Sequence, residues 1–205
     1  MHSQNNEIEI IQCAQQGDLE AFNHLIMQYQ DLIFRIAMRM MMDENLACDA
    51  VQDACLLAFN KFAAFRNGSF RNWLARIVVN VCYDEIRRQR RHPVQALEQI
   101  GHNDEELESP YWLADYSNNP EKQCEARELQ AVIQSCLESI SPSHRAVIIL
   151  IDMEECSYEE ASDILEVPIG TIKSRVARAR TQMMGALQTL SDVLPTRYCV
   201  KMPAF

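Results

Sequence analysis

The stretch SYEEASDILEVPIGTIKSRVARAR, from Ser157 to Arg180, decides the fold. Ser157 followed three residues later by Glu160 forms a capping box. The hydroxyl accepts a first-turn N–H, and the carboxylate returns to the serine's own N–H. This opens a short helix ending near Leu165. Val167-Pro168-Ile169-Gly170 then makes a tight connection, and a last helix runs from near Thr171 to about Leu190. Ile172, Val176 and Ala179 recur at helical spacing and face a core. Lys173, Ser174, Arg175, Arg178 and Arg180 are left outside. Two short helices joined by a tight turn make a helix-turn-helix, whose second helix suits the major groove of DNA. Arginine there can bond guanine in two places or hold a phosphate, although the same pattern also fits a solvated basic helix end.

Working upstream, Ser141-Pro142 opens a helix through Val147, Ile148, Leu150 and Ile151, with Ser141 as cap and proline at its first position. Asn119-Pro120 opens the helix before it by the same logic, with Ala126, Leu129, Val132, Ile133, Cys136, Leu137 and Ile140 inward. Residues 93–119 show no sustained period and contain Gly101, Pro110 and Asn118-Asn119-Pro120, so they read as an acidic, flexible linker.

The first module reads as four helices. A short one over residues 7–16 ends at Gly17, and Asp18 caps the second. The second carries Phe22, Leu25, Ile26, Tyr29, Leu32, Ile33 and Ile36 at spacings of three and four. The third follows the Asp43-Glu44-Asn45 break, with Leu46, Ala50, Val51, Ala54, Leu57, Ala58 and Phe62 on one face. After the loop Phe65–Phe70, Ser69 caps a fourth helix through Trp73, Leu74, Ile77, Val78, Val81, Cys82 and Ile86. It ends in Arg87-Arg88-Gln89-Arg90-Arg91, before Pro93. Trp73 continues the apolar stripe and belongs to the core. The expected organisation is all-α, with modules at 7–92 and 120–190, a linker at 93–119 and a tail at 191–205.

The chain has 205 residues and a net charge of −10, which looks wrong for a partner of DNA. Distribution matters more than the sum. Arg66 to His92 carries seven arginines against Asp84 and Glu85, and Pro168 to Gln182 carries four cations and no acid. Val94 to Glu125 has eight acids against Lys122, and Asp152 to Glu166 has seven acids and no cation. Two basic islands therefore lie in an acidic chain. Eight cysteines are present, with no C-x-x-C pair and no histidine at ligand spacing, so a zinc site is not expected. Cys48, Cys55, Cys82 and Cys136 fall on or beside apolar faces, and a redox role for Cys156 or Cys199 has no support. No apolar run reaches the roughly 20 residues that span a bilayer, and the N-terminus lacks a secretory pattern. There is no H-E-x-x-H, nucleophile elbow or phosphate loop, which disfavours an enzyme. No catalytic residue, metal or cofactor is expected.

At these residues the chain resembles bacterial RNA polymerase sigma factors of the extracytoplasmic-function (ECF) class of the sigma-70 family. Gly170 to Arg180 resembles their recognition helix and Ser157 to Ala161 the helix before it. Asp49-Ala50-Val51-Gln52-Asp53 with Ala58-Phe59 resembles the core-polymerase-binding helix. Phe70 to Asn80, continuing through Asp84 and Arg87-Arg88, resembles the helix that engages the promoter element nearest the start site. The likeness covers residues 10–190, in order. The chain departs from the family's pattern in having Glu155-Cys156 where a glycine is usual, in Cys55 and Leu57, and in its unusually acidic linker.

The resemblance implies a transcription initiation factor that directs core polymerase to promoters and helps melt them, in answer to stress. Asp49, Gln52 and Asp53 would dock on the clamp coiled coil, with the flap as a further polymerase contact. Phe65, Asn67, Ser69 and Phe70 would form a pocket for an extruded base, with Asn80 reading a base edge. Arg76, Arg87, Arg88, Arg90 and Arg91 would hold phosphates. Packing of the aromatic residues, and the attraction of arginines to a helix C-terminus, are the plainer readings of those groups. Thr171, Lys173, Ser174, Arg175, Arg178 and Arg180 would read the distal element as duplex. The implied partners are core RNA polymerase, promoter DNA and an anti-sigma factor, without membrane insertion. The implied location is the cytoplasm, on the nucleoid when active or near the membrane when held by the anti-sigma factor. The acidic Asp152–Glu166 surface or the linker could shield the basic helices in the free chain. The rival reading is a helix-turn-helix regulator acting without polymerase; a partner-binding adaptor would leave both arginine-rich helices unexplained.

Overall fold

The computed structural model describes residues 2–66, 68–91, 129 and 131–189. Among them the chain is helical with no strand: α1 (His2–Gln15), α2 (Leu19–Met41), α3 (Glu44–Lys61), a 3-10 turn (Phe62–Ala64), α4 (Phe70–Arg91), α5 (131–138), α6 (Pro142–Ile148), a π-helical turn (Ile149–Met153), α7 (Tyr158–Leu165) and α8 (Ile169–Thr189). The expected linker, the Asn119-Pro120 cap, Ala126, the tail and Cys199 lie outside the described residues.

Local chemistry sets most boundaries. Gly17, at φ +96°, reverses the chain after α1. Asp18 then accepts the amides of Glu20 and Ala21, and Asp43 accepts that of Leu46, so each carboxylate supplies partners that a helix's first turn lacks. Ser69 accepts the amide of Asn72 at 3.3 Å. Ser157 and Glu160 form the full capping box. Three details differ from the expected pattern. The first helix starts at His2 rather than at residue 7. Ser141 makes no side-chain cap bond, so Pro142 starts α6 by its fixed φ alone. The apolar run after α6 widens into a π-turn, with the amide of Glu154 bonding the carbonyl of Ile149 at 2.9 Å.

Most of the buried residues form one continuous cluster through both modules. Leu25, Ile33, Ile36 and Met40 of α2 pack with Ala47, Ala50, Ala54 and Ala58 of α3 and with Leu74, Val78 and Cys82 of α4. Alanines down the inner face of α3 let it approach closely. Leu57, expected inward, is 39% exposed, because the narrow alanine stripe leaves it on the flank. Cys48 is likewise exposed, while Cys82 and Cys136 are buried. In the second module Leu137, Ile149, Leu150, Ile164 and Ile172 are fully enclosed, each contributing about 1.5–3 kcal/mol of apolar transfer.

The modules pack against each other: α4 lies on α7, and α2 meets both α6 and the π-turn. Arg145 pins this junction. It is buried, and its guanidinium donates to the carbonyls of Leu137, Glu138 and Ile140 at 2.9, 3.1 and 3.3 Å. Those carbonyls lie at the end of α5 and in the turn after it, where the helix's own ladder runs out. A fourth bond, 2.6 Å long, reaches the carbonyl of Met40 in α2.

Candidate nucleic-acid interface

The helix-turn-helix comprises α7 and α8. Ala161 and Ile164 of α7 face Ile172, Val176 and Ala179 of α8, all buried. The turn is closed by Glu166 in the left-handed region at φ 53° and by the Ser162 hydroxyl, which donates to the Val167 carbonyl at 2.6 Å. On the outer face Lys173, Ser174 and Arg178 are exposed, and Thr171 and Arg175 are half-buried. The Ser174 hydroxyl donates to the Thr171 carbonyl, leaving its lone pairs outward. Arg180 is occupied: it bonds Asp152 at the end of the π-turn, with Nε to Oδ2 at 3.0 Å. Arg175 lies near Tyr83 of α4, whose pKa is nonetheless raised because burial outweighs the pull of Arg175 and Arg87.

In the first module the loop before α4 turns at Gly68, φ +112°, while Asn67 lies outside the described residues. Phe65 and Phe70 are 5% and 1% exposed. Phe65 packs on Trp73 with centroids 5.2 Å apart, and Phe70 meets Phe62 edge-on at 5.8 Å. Neither ring offers a free face to an extruded base. Together with Phe62 and Trp73 they form the wall on which the loop stands, since edge-to-face packing rewards this arrangement. Trp73 belongs to that cluster, as expected. Ser69 and Asn80 are exposed.

The arginines of α4 separate into groups. Arg90 and Arg91 are exposed at its C-terminus. Arg87 pairs with Asp84 at 3.5 Å. Arg88 pairs with Glu85 at 2.7 Å and lines an open groove of about 690 Å³ between α3 and α4, with Asp49, Gln52, Asp53 and Asp84. Its pKa is raised by the Glu85 bond, with Asp53 and Asp49 adding to it. The groove therefore joins the three residues expected to dock on polymerase with one expected to hold DNA. Leu56, Leu57 and Phe59 of α3 are exposed.

Arg76 faces the other module, pairing with Glu166 at 3.1 Å. It is one of several cross-module bonds the sequence reading missed. Arg35 of α2 grips the Glu154 carboxylate through Nη2 at 2.7 Å and Nε at 3.1 Å. Arg39, one turn on, donates to Oε1, which Arg35 Nε also holds. Arg71 of α4 donates to the Glu154 carbonyl at 3.0 Å and contacts Cys156 Sγ at 3.3 Å. The Glu154 side chain is 3% exposed. Burial raises the Cys156 thiol pKa against the opposing pull of Arg71, so the thiol stays protonated. The available signal was two arginines four apart on a helix otherwise rich in apolar residues, and an acid closing an apolar run.

Among the described residues no cluster of His, Cys, Asp and Glu is placed to hold a metal ion, and no helix is long and apolar enough to cross a membrane.

Two family models match this chain: Sigma-70 region 2 over residues 25–92 and Sigma-70, region 4 over residues 130–183. The ECF RNA polymerase sigma-E factor of Escherichia coli K12 is 32% identical over 195 residues, covering 93% of this chain and 98% of that protein. The RNA polymerase sigma-H factor of Pseudomonas aeruginosa is 29% identical over 191 residues, covering 93% and 98%. Among solved structures, the sigma factor RpoE of Bartonella quintana, in complex with the anti-sigma factor NepR, superposes with a TM-score of 0.62. It is 29% identical and covers 83% of this chain and 98% of its own.

Proposed function

Because this chain belongs to the sigma-70 family of RNA polymerase factors, in its ECF class, we propose that its two modules divide promoter recognition between them. The protein is a promoter-directing sigma factor that binds RNA polymerase. In our reading, residues 120–190 form the module that reads the distal element through α8, using Lys173, Ser174, Arg175 and Arg178, with Thr171 flanking them. Residues 7–92 form the module that docks on polymerase through Asp49, Gln52 and Asp53, with Arg88 in the same groove, and engages the start-proximal element through Ser69, Asn80, Arg76, Arg87, Arg90 and Arg91. Asn67 belongs to that element's loop by the resemblance alone. Residues 93–119 connect the modules.

The observation that carries this reading is the division of α8. One face is sealed into the core by Ile172, Val176 and Ala179, and the opposite face presents Lys173, Ser174 and Arg178. A helix so anchored holds its cations in fixed register against a groove, and each well-placed bidentate contact supplies about 1–3 kcal/mol of base discrimination. Arg180 joins the interface once its bond to Asp152 is released.

The same reading makes the protein a binding factor rather than an enzyme and places it in the cytoplasm. It also gives the chain an anti-sigma partner of the kind bound to the Bartonella quintana relative, which would hold it away from the nucleoid, in some cases near the membrane.

Reconstitution with core polymerase across a promoter library is the test. The expected result is start-site-specific RNA from a subset of templates, with Arg178→Ala changing which distal elements are used. Absence of specific transcripts from every template would end the reading.

A further inference from the structure

We propose that Arg35 and Arg39 of α2, with Arg71 and Arg76 of α4, form a phosphate-backbone binding face for DNA that the second module covers in the free chain. This rests on the reading of the protein as a promoter-binding factor and adds a surface to it. The four cations come from two neighbouring helices, and each is engaged by the second module. Arg35 and Arg39 hold the Glu154 carboxylate, Arg71 its carbonyl and Arg76 the carboxylate of Glu166.

The manner of engagement indicates the natural ligand. Arg35 presents Nε and Nη2 together to the carboxylate, the fork geometry by which guanidinium also holds phosphate. Asp31, one turn earlier on α2, is the acid that acts on Arg35 besides Glu154. Arg71 and Arg76 lie on the helix that continues to Arg90 and Arg91, so the face extends an existing basic strip.

The covering segment is itself built for the position. A π-turn delivers Glu154, and the next residue, Glu155, holds φ 55°. Two uncommon backbone conformations flank one buried acid, and such features gather at functional positions. Glu154 and Glu166 thus occupy sites that phosphate oxygens take when the modules separate.

The test breaks one ion-pair set from either side and uses DNA without polymerase, so its failure is distinct from failure of the transcription assay. The probe is a 30-base-pair duplex of mixed sequence, followed by fluorescence anisotropy from low to moderate salt. Glu154→Gln/Glu166→Gln frees the cations. Its affinity should rise about tenfold or more, and its salt dependence should steepen by about two to three released counterions. Arg35→Gln/Arg39→Gln breaks the same contact but removes two of the cations, and should bring no gain.

Equal gain in both variants would mean that opening merely exposes α8, and would overturn the proposal. No gain in the glutamate variant would do the same, and would leave the face to an acidic protein segment. Should a variant fail to fold, the unmodified chain still answers. Saturation with the duplex should raise amide exchange in residues 149–157 as Glu154 is displaced, and unchanged exchange there contradicts the idea.

Discussion

The guanidinium of Arg145 bonds the main-chain carbonyl of Met40 at 2.6 Å across 105 positions of sequence. The same side chain closes the end of α5 through three further carbonyls. Burial lowers its pKa, with Glu138 opposing that shift, yet arginine remains charged near neutrality. A buried charge is tolerated when its donors are satisfied, as they are here.

Arg145→Ala should therefore destabilise the protein by about 3 kcal/mol, since four carbonyls lose a charged donor together. Arg145→Lys should recover only part of this, because one ammonium cannot serve carbonyls on two helices with the reach of a planar fork. Urea unfolding midpoints measure both; equal midpoints for the lysine variant and the parent would contradict the account.

Glu155 sits in the left-handed region at φ 55°, within the Glu155-Cys156 pair that departs from the family's expected glycine. A side chain there costs about 1–2 kcal/mol, and glycine returns part of that as extra freedom in the unfolded chain. Glu155→Gly should consequently raise stability by about 0.5–1 kcal/mol, seen as a higher thermal midpoint. A lower midpoint would show that the glutamate makes contacts outweighing the strain.

The capping box predicts a pH signature. Glu160 accepts the Ser157 amide at 2.8 Å, and that bond is the chief cause of its lowered pKa. A carboxylate depressed in the folded state adds stability above its unfolded value, near 4.3. That contribution fades as pH falls through the lower folded value. Glu160→Ala should hence cost more at pH 7 than at pH 3, while Ser157→Ala, which removes a neutral cap, should cost about 1 kcal/mol at either pH. Denaturant titrations at the two pH values distinguish them.

Thiol chemistry gives a fourth expectation. Cys13 and Cys48 are exposed, although desolvation and the nearby Glu44 and Asp49 raise the Cys48 thiol, whereas Cys82 and Cys156 are buried, with the Cys82 thiol pushed up to about 12 and that of Cys156 raised. The thiolate is the reactive form. Alkylation of the native chain at neutral pH should label the first pair and spare the second; rapid labelling of Cys156 would mean that the modules separate readily.

The helices were legible because their signals are local. Asp18, Asp43, Ser69 and the Ser157–Glu160 pair announce helix starts, and the period of Ile172, Val176 and Ala179 announces a buried face. What escaped depends on neighbours distant in sequence. Phe65 and Phe70 read as a loop pocket, but Phe62 and Trp73 pack against them. Leu57 shares the period of α3, yet the alanine stripe is too narrow to bury it. Glu154 looked like one acid among seven until Arg35 and Arg39 were placed over it. No periodicity encodes a contact across 119 residues.

The groove between α3 and α4 separates two roles within one arginine run. Arg88 lines the groove with Asp49 and Asp53 and pairs with Glu85, so acids of the protein itself balance its charge. Arg90 and Arg91 are exposed beyond it. A lost phosphate contact lowers the salt slope by about 0.9 per charge, and a lost groove residue does not. Arg90→Ala/Arg91→Ala should flatten the salt dependence of binding to a promoter duplex by about two, with core-polymerase affinity retained. Arg88→Ala should leave that slope alone and instead change core affinity, because removing it unbalances the acids that line the groove. Titrating labelled core polymerase and labelled duplex against each variant reads both quantities; a flattened DNA slope for Arg88→Ala would return that residue to the nucleic-acid face.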